Sequence, residues 1–142
     1  MLLSKEIAVE LNLAACKLKQ YTSSKLKENH VDITPEQFLV IDMLWNEGPM
    51  SQQKMADTIH KDKNSVTKLV DALENKGLIE RRQDRKDRRS NTLFPTEKAL
   101  QMKDATKEAG ISMLDGILNG ISEKDLREFL NTLSRISANM ED

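Results

Sequence analysis

A single cysteine, Cys16, is all the thiol chemistry available to this 142-residue chain. It excludes an intramolecular disulfide. With only two histidines, His30 and His60, no Cys/His spacing suits zinc. Prolines (three) and glycines (five) are scarce, while Leu, Lys, Glu, Ala and Met are plentiful, a balance that favours helices. Aromatic residues make up 4% of the chain, too few for a base-stacking or carbohydrate platform. No apolar run approaches a membrane span, and the start MLLSKEIAVEL lacks the pattern of a signal peptide. Nucleophile–base pairings, Gly-rich phosphate loops and metal clusters are missing too, so no enzyme, cofactor or metal site is expected. The expectation is a soluble, cytoplasmic, mainly helical protein.

What the chain has in quantity is charge. Charged residues are 32% of it, yet the formal net charge is only -1. The signs are segregated. Residues 81–90, RRQDRKDRRS, hold six Arg or Lys, two Asp and no apolar residue. From Ser51 to Arg89 there are eleven Lys/Arg against seven Asp/Glu, a net of +4 that leaves -5 for the rest. A positive field gathered on one segment suits phosphate binding even at a near-neutral pI.

Apolar spacing predicts the elements. Residues 4–29 read as one long helix with Ile7, Leu11, Ala14, Ala15, Leu18 and Tyr21 along a stripe. Val9 and Leu13 lie off it, which implies more than one packing partner. Thr34-Pro35-Glu36-Gln37 is a capping box with proline at the first helical position. The helix it opens carries Phe38, Ile41, Leu44 and Trp45 and ends at Asn46-Glu47-Gly48-Pro49. A short helix follows, from the cap Ser51 to about Ile59, burying Met55, Ala56 and Ile59. Asp62 caps the next, whose buried face is Val66, Leu69, Val70 and Leu73 and which Gly77 ends. Leu78–Gln83 and Asn91–Phe94 read as two strands of a hairpin, with the basic stretch as its tip and Pro95 ending the second strand. A further helix from Pro95 or Thr96 carries Leu100, Ala105, Met113, Leu114, Ile117 and Leu118, loosened by Gly110, Gly116 and Gly120. Ser122 to Asp125 caps a last helix with Leu126, Phe129, Leu130, Leu133 and Ile136.

Short helix, tight turn, helix, hairpin: this order is a helix-turn-helix with a wing. The second helix of such a unit presents its N-terminal residues to DNA. Here those are Lys63, Asn64 and Ser65, followed on the face opposite the apolar one by Thr67, Lys68 and Asp71. These side chains match base edges and phosphates, and the helix terminus itself attracts phosphate.

The text from Gly77 to Arg89, followed by Leu93-Phe94-Pro95-Thr96-Glu97, resembles the wing signature of the MarR family, which are bacterial dimeric winged helix-turn-helix regulators. Leu73, Gly77, Leu78, Ile79, Arg81, Asp84, Asp87 and Arg89 carry the resemblance. Pro95, where the family has an aliphatic residue, and Ala99, where a glycine is common, depart from it. The resemblance implies a single domain, with a DNA-binding lobe over 34–95 and dimerisation helices at 1–31 and 96–142. It implies a homodimer on a pseudo-palindromic operator, more often a repressor, and a wing arginine in the minor groove. Arg89 matches that arginine, and Asp87 would hold its guanidinium fork. Arg85, Lys86 and Arg88 would touch phosphate or the wing tip, and Ser51 and Gln52 phosphate. Many members bind a small effector between the dimer helices and the lobe, for which Leu18, Phe38, Met43 and Trp45 are candidates; core packing is the competing role that the sequence favours.

Two alternatives stay open on the sequence alone. One is a winged helix used for protein–protein contact, its basic wing meeting an acidic partner. The other is a thiol-sensing repressor using Cys16, since one branch of the family senses hydroperoxides through a first-helix thiol. That position falls near Glu10 here, and Tyr21 is the only tyrosine, so Cys16 reads as buried or incidental.

Overall fold

The structure is a computed structural model describing residues 2–87 and 89–141. In chain order the elements are α1 (Leu2–Glu28), α2 (Pro35–Glu47), β1 (Met50–Ser51), α3 (Gln52–Thr58), α4 (Lys63–Asn75), β2 (Ile79–Gln83), β3 (Asn91–Pro95), α5 (Glu97–Ile117) and α6 (Glu123–Asn139). They fall into two compact units, residues 1–109 and residues 110–142. The fold is mainly helical with one small antiparallel sheet, as the sequence predicts.

The first unit is built on α2. Thr34 Oγ1 accepts from the Gln37 amide at 3.1 Å while Gln37 Oε1 accepts from the Thr34 amide at 3.2 Å, the reciprocal capping box. Gln37 Oε1 also accepts from Lys76 Nζ at 2.8 Å, which ties the end of α4 to the start of α2. Val40, Ile41 and Leu44 from α2, Met55 from α3, Val66, Val70 and Leu73 from α4 and Leu93 from β3 are all buried in one cluster. Fully burying a side chain of this size contributes about 2 kcal/mol, so the cluster fixes the helices against the sheet. Ile59 and Leu69, expected in the core, are partly buried and pack at its edge.

Three helices in this unit end alike. In α1, α3 and α4 the amide two residues past the cap returns to a carbonyl of the last turn: Val31 to Leu26 at 2.9 Å, Lys61 to Ala56 at 3.1 Å, Leu78 to Leu73 at 2.9 Å. This closure needs a left-handed residue before the returning amide. Gly77 supplies one at φ 75°; the others are His30 at φ 59° and His60 at φ 55°. Both histidines therefore serve as helix stops.

The sheet order is β1-β3-β2. Gln83 pairs with Asn91 and Ile79 with Pro95, and on the other side of β3, Met50 and Ser51 pair with Leu93 and Thr92. Strand β1 is not expected from the sequence, because two residues show no alternation. Pro95 is itself the last residue of β3; β1 ends its pairing at Leu93, so the missing proline amide breaks no ladder.

Helix α5 departs from expectation. Thr96 Oγ1 donates to the Gly77 carbonyl at 2.6 Å and accepts from the Ala99 amide at 3.2 Å. Trp45 Nε1 donates to the Ala99 carbonyl at 3.1 Å. These bonds turn Ala99 (fully buried), Met102 and Thr106 inward, and leave Leu100 about half exposed. The buried positions thus flank the predicted ones, Ala99 beside Leu100 and Thr106 beside Ala105, and both Pro95 and Ala99 lie at the strand-to-helix junction. The helix also runs unbroken through Gly110 and Gly116. The long stripe of α1 is likewise uncovered within this chain: only Leu26 of that helix is buried, and Ile7 and Leu18 are exposed.

In the second unit, Ser122 Oγ caps α6 by accepting from the Asp125 amide at 3.1 Å. No described residue of α6 is buried; Phe129 and Leu130 are exposed, and Leu126, Leu133 and Ile136 are partly covered.

Candidate nucleic-acid interface

Two caps aim the helix-turn-helix. Ser51 Oγ accepts from the Lys54 amide at 3.0 Å and starts α3. Asp62 Oδ1 accepts from the Ser65 amide at 2.7 Å and starts α4. The Ser65 side chain, and then that backbone bond, hold the Asp62 carboxyl below its ordinary range. Lys63, Asn64, Ser65 and Lys68 stand exposed on the first half of α4. Thr67 does not join them freely. It is half-buried; its hydroxyl donates to the Lys63 carbonyl at 2.9 Å and accepts from Gln52 Nε2 at 2.9 Å. Gln52 is thus directed at α4, and its buried Oε1 has no hydrogen-bond partner among the described residues.

The aspartates of the wing build its turns. Asp84 Oδ1 accepts from the Lys86 amide at 2.8 Å and Asp87 Oδ1 from the Arg89 amide at 3.0 Å, each reaching two residues ahead. The Asp84 amide donates to the Ser90 carbonyl at 2.9 Å and closes the tip above the ladder. Asp87 was expected to grip the guanidinium of Arg89; among the described residues its contact with Arg89 is to the backbone, because a carboxylate two residues before an amide closes a tight turn more readily than it spans to a long side chain. Arg85, Lys86 and Arg89 are exposed, and Arg88 lies outside the described residues.

Arg81, on β2, was not singled out for a structural role. Its guanidinium bonds to Asp71 and lies 3.3 Å from Glu74, both on α4. The Asp71 hydrogen bond raises the Arg81 pKa above its ordinary value, against the opposing effect of burial. The signal was present in the sequence: two carboxylates three apart on one helix, and an arginine fixed in the motif just beyond it. Arg82, next along β2, places its guanidinium 4.0 Å from the centre of the Phe94 ring, which stiffens the outer face of the hairpin.

The arrangement brings three segments to one place. A cleft of about 230 Å³ is lined by Ser51 and Gln52 from the start of α3, Lys63 from the start of α4, and Arg89, Ser90 and Asn91 from the returning side of the wing. Two helix starts and an arginine-bearing loop thus converge.

The residues considered for a small-molecule site are placed otherwise. Trp45 is in the core, Phe38 and Met43 pack against it, and the Phe38 and Trp45 rings meet edge to face at 6.3 Å. Leu18 is exposed on α1. Cys16, read as buried or incidental, is exposed. Among the described residues no cluster of three or more His, Cys, Asp or Glu could hold a metal ion.

The sequence model of the MarR family matches residues 33–90. The chain is 24% identical to the Bacillus subtilis HTH-type transcriptional regulator YybA over 136 residues, 96% of this chain and 89% of that one. It is 23% identical to the Staphylococcus aureus HTH-type transcriptional regulator MgrA, over 94% of this chain and 89% of that one. Its fold superposes on the S. aureus MepR–DNA complex with a TM-score of 0.85 at 22% identity, covering 94% and 97% of the two chains. The matched segment is the same helix-turn-helix and wing whose geometry is described above.

Proposed function

We propose that this chain is a DNA-binding transcriptional regulator that acts in the cytoplasm as a homodimer on a pseudo-palindromic operator, in the manner of a repressor. The observation that carries the reading is the convergence of the α3 start, the α4 start and the wing on one cleft, in a segment of net charge +4. Lys63, Asn64, Ser65 and Lys68 supply the base-edge and phosphate contacts in the major groove, and Arg89 enters the minor groove beside it. Ser51 at the start of α3 and Arg85 and Lys86 of the wing meet phosphate, while the Gln52 side chain is held against Thr67. Residues 34–95 form the DNA-binding lobe. Helices α1, α5 and α6 hold the second subunit: Leu3, Ile7, Leu114, Phe129 and Leu130 are exposed in the single chain and need cover. A two-fold dimer sets two α4 helices about 34 Å apart, one turn of DNA. The similarity to HTH-type transcriptional regulators and to a protein solved on DNA supports the same reading. Among the described residues no helix is long and apolar enough to cross a membrane.

Selection of bound duplexes from a random pool at moderate salt tests this. The expected product is an inverted repeat with half-sites about one helical turn apart. Arg89→Ala should then weaken operator binding strongly and leave the dimer intact. Lys86→Ala should weaken all sequences alike and lower the salt slope by about 1. No enrichment, with binding lost at modest salt, would overturn the reading and direct attention to an acidic protein partner for the wing.

A further inference from the structure

We infer that Thr67 reads a thymine of the operator through its methyl group and not through its hydroxyl. The inference rests on the DNA-binding reading above and assigns one base contact within it. Thr67 Oγ1 lies 2.9 Å from the Lys63 carbonyl oxygen. A carbonyl only accepts, so the single hydroxyl proton is committed there. The same oxygen is 2.9 Å from the Gln52 amide. With no proton left on Thr67, the Gln52 side chain must turn its nitrogen toward the contact, which fixes the orientation of that amide. The hydroxyl is therefore held from two sides, by the backbone of α4 and by a side chain of α3. Thr67 has no donor to offer a base.

What this half-buried side chain has left to offer, beyond one lone pair on the hydroxyl, is a methyl group, beside Asn64 and Lys68, whose side chains are exposed and able to form hydrogen bonds. Of the features that bases present in the major groove, the C5 methyl of thymine is the apolar one. A methyl set against that methyl excludes water from both. Neighbouring polar contacts by Asn64 and Lys68 fix the register in which this happens.

The test uses the selected operator with deoxyuridine placed for thymidine one position at a time, a change that removes only the C5 methyl. Binding is measured for the parent protein and for Thr67→Ser, which keeps the hydroxyl with both of its partners and deletes the methyl. One thymine in each half-site should show an about four-fold weaker parent complex when replaced, the effect of burying one methyl-sized group. Thr67→Ser should bind thymidine and deoxyuridine equally at that position, with an unfolding midpoint matching the parent's. A parent that selects an operator yet shows no sensitive thymine, or a Thr67→Ser protein that keeps the same penalty, overturns this inference alone. A parent that selects no operator overturns the DNA-binding reading and this inference together.

Discussion

The guanidinium of Arg81, on the outgoing strand of the wing, bonds to the carboxylate of Asp71 in the third turn of α4. The wing is thereby fastened to the helix it works beside. Arg81 is mostly covered, with 20% of its side chain exposed, whereas Asp71 is 52% exposed, so solvent screens one half of the pair. Arg81→Gln and Asp71→Asn should each lower stability by about 0.5–1 kcal/mol, with the double variant little worse than either single one. Urea unfolding of the four proteins gives the coupling. A coupling of zero would mean that the latch does not hold in solution.

Arg81 adds no pH dependence in any usable range. A cation whose pKa rises on folding gives stability that is complete below its ordinary, strongly alkaline value and lost only above it. The acid side is governed elsewhere. Glu36, at the start of α2, is held below its ordinary 4.5 by a hydrogen bond from Lys19, with Lys61 adding to the effect and burial opposing it. A carboxyl depressed on folding gives stability that is present above its ordinary pKa and lost as pH falls through the lower folded value. Glu36→Gln should therefore be less stable than the parent at neutral pH, and the gap should narrow below pH 4.5. Parallel curves of urea midpoint against pH from 7 to about 3 would refute the Lys19–Glu36 contribution.

His60 closes α3 at φ 55°, where a side chain strains the backbone. His60→Gly should raise stability by about 1 kcal/mol. Gly77 closes α4 at φ 75°, and a Cβ there would meet only Lys98 Cδ at 3.9 Å, so space is not the obstacle. Gly77→Ala should still cost about 1 kcal/mol, from the backbone alone. Opposite shifts in thermal midpoint for the two variants are the expected result.

Asp87 accepts from the Arg89 amide, a task that needs an oxygen and not a charge. Asp87→Asn should keep the wing turn and bind duplex DNA at least as well as the parent, since it also removes a negative charge from the interface. Asp87→Ala should bind several-fold more weakly. If Asn fails as badly as Ala, the carboxylate charge is what matters, and the wing arginine depends on an ion pair after all.

Caps and apolar spacing made most of the fold legible. Thr34, Ser51, Asp62 and Ser122 each cap the helix assigned to them, because a cap is a local bond within four residues of sequence. The buried faces of α2 and α4 were legible for the same reason. The face of α5 was not. Its phase is set by the Trp45 bond to Ala99, across 54 residues, which no local pattern encodes. Strand β1 was hidden by its length, and the helix stops at His30 and His60 by the residue type, since glycine is the usual signal. At the interface, exposure could be read from helical period, so Lys63, Asn64, Ser65 and Lys68 fall where expected. The withdrawal of the Thr67 hydroxyl depends on Gln52, fifteen residues away, and could not be read.

Ser51 is at once the final residue of β1, paired with Thr92, and the cap of α3. Sheet and helix therefore share a residue, with no spare chain between them. The wing tip is the reverse: the bond from Asp84 to Ser90 lies beyond the last strand pair, Gln83 with Asn91, and no described residue between them pairs with a strand. Lengthening the chain inside that bond leaves every strand register unchanged. A single residue inserted between Ser51 and Gln52 would part the cap from the strand and turn α3 loose from the sheet. Variation in length, natural or engineered, belongs at the tip of this lobe and is barred at its root.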